Sequence, residues 1–317
     1  MRGRVFRTFG LALLALVAGS AGADEPFRPT LPEPLLAEAA AFQSYMTEAQ
    51  TIPLAFKNGA EVEKALEVAG GYHHEQLMRG AVVAGAVAAL GEPSFVEGLR
   101  AIPADRRAIL ADMIARNPWI VVSLAGAPAA AARVDVAVGG PSARLASNGA
   151  AVKQSAYDMQ KQAWSKEVSP HHPELLTTAR TLSETARKAT PEELAAFRLL
   201  LETPAPAASP APAGPRTYSR LTQRALSVAA MTALGSSRDE NLDLLTYAMA
   251  EPDSDQCLRM AKLNLFQCLA VAGPRYEDVF CLGQHLIIDT GQCLVKEFGG
   301  PAPAPPAATL AATPAAH

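Results

Sequence analysis

The chain has 317 residues, a formal charge of −3, 49 % hydrophobic residues and only 6 % aromatic ones. That length can bury a sizeable core in one large domain or two smaller ones, and the mild acidity disfavours a general nucleic-acid binder. Past the N-terminus, the apolar segment from Ala81 to Leu90 is too short to span a bilayer, and that from Trp119 to Val138 is interrupted by Pro128, Arg133 and Asp135, so no later membrane span is expected.

Arg2, Arg4 and Arg7 precede the apolar run FGLALLALVAG, and Ala21-Gly22-Ala23 supplies an A-x-A cleavage site. This reads as a secretory signal peptide over residues 1–23, with a periplasmic or secreted product. Its removal takes away three arginines and leaves 294 residues with a formal charge of −6.

Alanine-rich helical periodicity follows, and the alternation of strands is nearly absent. Segments with helical spacing start near Pro34, Glu61, His73, Pro103, Ser147, Pro173 and Pro191. Many open on proline and close on glycine or asparagine. These form an N-terminal helical region over 24–202. The stretch TPAPAASPAPAGP (203–215) is a Pro/Ala-rich linker or a long loop, and residues 216–298 form a C-terminal helical region. The tail from 299 to 317 lacks large apolar side chains and is expected to be disordered. A short echo, AVAALG at 86–91 and AMTALG at 230–235, leaves an internal duplication open.

All four cysteines fall within Cys257–Cys293, and in an exported chain an even number reads as disulfides. Residues 253–273 read as one helix, with Asp253 or Ser254 as cap and Gly273 as stop, and Pro274 opens a second. Cys257 and Cys268 lie eleven residues apart on the first helix. That is about 16 Å along its axis, beyond the roughly 4.4–6.8 Å between Cα atoms that a disulfide allows. In an antiparallel hairpin, the nested pairs Cys268–Cys281 and Cys257–Cys293 share one turning point at Pro274–Arg275, whereas the crossed pairing displaces each partner by about 15 Å. The nested pairing is therefore expected. The twelve residues from Cys281 to Cys293 turn a regular helix about 120° past whole turns, so both sulfurs cannot face the first helix. Ending the helix near Thr290, with Gly291 left-handed, would swing Cys293 back.

Ile287-Ile288-Asp289-Thr290-Gly291 resembles the active-site motif of aspartic proteases, which place the aspartate in a β-rich domain and need a second aspartate. No strand pattern surrounds it here, so its expected role is to stop a helix. The two-by-two cysteine spacing over Cys257–Cys293 resembles the twin-cysteine hairpins of the coiled-coil-helix-coiled-coil-helix (CHCH) family. The resemblance implies antiparallel helices clamped by two disulfides and no catalytic chemistry. Between the two bridges the register sets Asn264 opposite His285, predicting a hydrogen-bonded structural pair.

Other chemistry is sparse. His73, His74, His171 and His172 form two doublets that could hold a divalent ion if the fold gathered them. Adjacent helical residues diverge by about 100°, however, so solvated surface histidines are expected, with no metal and no cofactor. Tyr157, Gln160 and Trp164 recur at helical spacing, as a ligand surface or as the docked face of an amphipathic helix. The resulting expectation is an all-α, multi-helix bundle with a C-terminal hairpin stapled by two disulfides. Its expected role is non-enzymatic binding or assembly in the bacterial envelope, toward an envelope protein or a glycan. The alternatives are a hydrolase with an unfamiliar site and a metal-binding protein using the His doublets.

Overall fold

Several helices start where a side chain or a proline suits their first turn. The structure, a computed structural model, describes residues 27–170, 172–203, 217–251 and 254–298. Residues 1–23, expected to be a signal peptide, residues 204–215 of the Pro/Ala stretch, Asp253 and the tail from 299 lie outside these.

Among the described residues, nine α-helices precede the Pro/Ala stretch: α1 (Glu33–Ala49), α2 (Gly59–Gly70), α3 (His74–Leu90), α4 (Pro93–Arg100), α5 (Ala104–Arg116), α6 (Ala127–Val134), α7 (Gly140–Asp158), α8 (His172–Glu184) and α9 (Pro191–Glu202). Following it are α10 (Arg220–Ala233), α11 (Leu242–Met249), α12 (Gln256–Val271), α13 (Arg275–Cys281) and α14 (Asp289–Phe298). Two π-helical stretches, Asp135–Gly139 and Leu282–Ile288, join α6 to α7 and α13 to α14. No strand forms among the described residues; the β pairing present is an isolated bridge between Val168 and Pro274.

The helix ends follow from their residues. The Asn58 side chain accepts from the Glu61 amide, and Thr190 with Glu193 closes a capping box on α9. Gly235, at φ 85°, ends α10: its amide bonds the Thr232 carbonyl and that of Ser236 bonds the Met231 carbonyl, the Schellman arrangement. One expected start is displaced. The helix anticipated near Ser147 begins earlier, at Gly140, because Gly139-Gly140-Pro141 continues the winding instead of turning; a proline in the first turn lacks only an N–H that would be unpaired anyway. It also ends earlier, at Asp158, and passes into short 3₁₀ turns around Met159 and Trp164.

Helix α3 runs through the centre, burying Leu77, Met78, Val82, Val83 and Ala86 between α1 and α10. Each large side chain so buried contributes roughly 1.5–3 kcal/mol. Gly80 lets α1 come close: a Cβ there would lie 2.2 Å from the Glu38 carbonyl oxygen. Residues on both sides of the Pro/Ala stretch, from Leu31 to Leu201 and from Leu221 to Phe298, share one hydrophobic core. No single described helix is long and apolar enough to cross a membrane; α3 and α4 pass such a test together but meet at an 82° bend, and α3 is largely buried.

Candidate functional site

Two disulfides cross-link the arms of the C-terminal hairpin. Cys257 bonds Cys293 and Cys268 bonds Cys281, with Cα separations of 5.8 and 5.7 Å, the nested arrangement that the register demands. All four cysteines are therefore oxidised, which fits an oxidising, non-cytoplasmic compartment.

The second arm reaches Cys293 by a route the sequence reading did not foresee. No stop occurs at Gly291, which does not adopt positive φ; the arm continues from α13 through the π-helical Leu282–Ile288 into α14. An i→i+5 winding turns less per residue than an α-helix, so it removes the excess rotation and returns Cys293 to the seam. Gly291 serves close approach instead: a Cβ there would lie 2.5 Å from the Ala146 amide nitrogen of α7. Gly149 and Gly283 belong to the same contact, their added Cβ atoms meeting the Ile288 and Lys153 amide nitrogens at 2.6 Å.

The expected Asn264–His285 pair does not form. His285 Nδ1 lies 2.9 Å from Asp289 Oδ2, one π-influenced turn along its own arm, because the widened winding carries the imidazole away from α12. Asp289 Oδ1 accepts from Gln284 Nε2 at 2.9 Å, and Gln284 Oε1 accepts from Lys153 Nζ at 2.7 Å. Thr290 pairs its hydroxyl with that of buried Tyr72 at 2.8 Å. A carboxylate on Nδ1 is the orientation that prepares an imidazole as a base, but no hydroxyl or thiol among the described residues hydrogen-bonds His285. Asp-Thr-Gly thus carries a polar clasp and a close helix contact.

Lys262 escaped the sequence reading because a lone lysine on a helix ordinarily faces solvent. Here it points inward from α12, donating to the Gly70 carbonyl with its Nζ 3.8 Å from the centre of the Tyr72 ring. Burial pushes its pKa down to about 7, opposed by the carbonyl and the ring, which both favour the charged form.

Of the anticipated aromatic surface, two members come together and one departs. Tyr157 and Gln160 line a groove of about 290 Å³ beside the Cys268–Cys281 bridge, with Val271, Ala272, Tyr276 and Phe280 opposite. The Tyr157 and Phe280 rings meet edge-on at 6.1 Å, and Lys153 lies over the Phe280 ring. Trp164 is not in this groove; the end of α7 at Asp158 breaks the helical spacing, and its indole donates to Gln162 instead. Val271 is 83 % exposed, and Met260 and Leu263 extend the apolar surface along the outer face of α12. The inner face of the same helix buries Leu258, Ala261, Leu265 and Leu269, so α12 is apolar on two sides. That doubling was readable as large apolar residues lying off the core-facing period.

The histidine doublets divide. His171 and the side chain of His172 fall outside the described residues. His73 caps α3, its ring stacked on that of His74 at 4.7 Å. His74 Nε2 lies 3.3 Å from Asp255 Oδ2, and one ligand atom each from His74, Glu75 and Asp255 fall within 4.8 Å of one another. Asp255 was missed because its position, just before α12, suggests a cap; its side chain makes no cap bond.

No family model, curated protein or solved structure matches this chain.

Proposed function

We propose that the chain is an exported, non-enzymatic binding or assembly module of the bacterial cell envelope, docking an amphipathic helix of a partner protein against α12. The export signal at 1–23 and the pair of disulfides support the compartment. The observation that carries the reading is the set of exposed apolar residues Met260, Leu263 and Val271, spaced i, i+3 and i+11 on one face of α12 with exposed Gln267 between the last two, and leading into the Tyr157–Phe280 groove. Such a stripe, about 16 Å long, matches three turns of an apolar helical seam. Exposed apolar side chains grouped on one helix face in this way mark interaction sites. Beside Gln160, Glu277 and the tyrosine hydroxyls the groove is lined by apolar groups, which favours a protein helix over a glycan.

A photo-reactive side chain placed at position 263 or 271 of the exported protein tests this. Both positions should give one discrete adduct with the same partner, absent when the probe stands at exposed Glu184 and lost from position 271 on Leu263→Glu. Equal labelling at all three positions, or none, would refute it. Leu263→Glu lies on the surface and should leave stability within about 0.5 kcal/mol.

A further inference from the structure

We propose that His74, Glu75 and Asp255 form a binding site for one divalent transition-metal ion of the zinc class, tying the start of α3 to the start of α12. Imidazole and carboxylate are ordinary ligands of such ions. In a tetrahedral zinc site with bonds of about 2.0–2.1 Å, ligand atoms stand about 3.3 Å apart. His74 Nε2 and Asp255 Oδ2 are already separated by 3.3 Å. Glu75 is about half exposed, with its ligand atom within 4.8 Å of the other two.

Two observations set this cluster apart from a surface ion pair. Asp255 Oδ2 is buried and makes no aligned hydrogen bond, its contacts being the ion pairs to His74 Nε2 at 3.3 Å and Arg259 Nε at 3.5 Å. Asp255 also occupies the N-cap position of α12, where aspartate ordinarily accepts from the helix, yet it makes no cap bond and turns toward the imidazole. Around the trio, Arg259 Nε stands 3.5 Å from Asp255 and Arg79 3.6 Å from Glu75, placing two cations that an incoming ion must displace or share. Access exists, because Glu75 and Asp255 also line a cleft of about 340 Å³ together with Thr246, Glu251 and Ser254.

The test is calorimetric titration of Zn²⁺ into the chelator-treated, disulfide-intact chain, repeated with Co²⁺ to read ligand-field absorption. One ion per chain should bind and raise the Tm. His74→Gln and Asp255→Asn should each weaken binding at least tenfold, while His285→Gln leaves it unchanged. Glu75→Gln, at a half-exposed side chain whose loss the fold tolerates, should also weaken it, so the test does not depend on the buried variants folding. Zinc should further protect His74 from modification by diethyl pyrocarbonate. No saturable binding up to millimolar zinc, or binding indifferent to both His74→Gln and Glu75→Gln, would overturn the site.

Discussion

Lys262 shows how one side chain acquires a pH-dependent role from its surroundings. With its folded pKa lowered to about 7, the folded chain gives up a proton that the unfolded chain keeps until about 10.4. Between those values the unfolded state binds more protons, so stability should rise with pH, by at most about 1.4 kcal/mol per unit from this group. Below pH 7 both states are charged, and the burial cost stands in full. Replacing Lys262 by Met should remove that rise; urea midpoints measured from pH 6.5 to 9.5 should slope upward for the parent and flatten for the variant. The neighbouring Tyr72 hydroxyl, whose pKa burial raises beyond the working range, stays neutral and keeps its bond to Thr290 throughout.

At the scale of elements, the hairpin is held by covalent and close-packed contacts together. The Cys257–Cys293 bridge spans a sequence separation of 36 and Cys268–Cys281 one of 13, so loop-closure entropy makes the outer bridge worth about 1 kcal/mol more. Replacing Cys257 and Cys293 by Ser should cost about 2–5 kcal/mol in denaturant midpoints, and replacing the inner pair should cost less. If the order is reversed, native packing outweighs chain entropy here. Gly291→Ala probes the seam with α7: the added Cβ at 2.5 Å from the Ala146 amide must push two backbones apart, and overpacking of this kind costs about 1–3 kcal/mol. A thermal melt read by circular dichroism, with helix content unchanged at low temperature, separates this from a loss of helix propensity.

Taken as a whole molecule, the two helical regions on either side of the Pro/Ala stretch share one core, because α3 packs on α10 and α7 on α14. A specific protease site introduced within 204–215 and cleaved should therefore leave both halves together at native pH, eluting as one species and separating only in denaturant. Co-elution lost on cleavage alone would mean that the shared core is too weak to hold without the connection. The same packing gives the proposed docking stripe its rigidity, since α12 is anchored at both ends by bridges to the second arm.

The all-α class, most helix starts and the pairing of the cysteines were legible in the sequence, because they rest on short-range chemistry: periodicity of about 3.6, proline and capping residues at ends, and the fixed rise of a helix. The misfit at Cys293 was legible too, since twelve residues overshoot the seam whatever surrounds them. Its remedy was not. Whether the arm stops at Gly291 or unwinds through Leu282–Ile288 depends on α7, whose backbone leaves room only for glycine and so draws the arm onward. The same holds for His285, which that unwinding turns from Asn264 to Asp289, and for Lys262, whose inward direction is set by Gly70 and Tyr72. Most plainly, His74 and Asp255 lie far apart in the chain and meet only because α3 and α12 begin side by side. Local preference fixed the helices; the juxtaposition of distant side chains, which carries the candidate chemistry, was decided by packing alone.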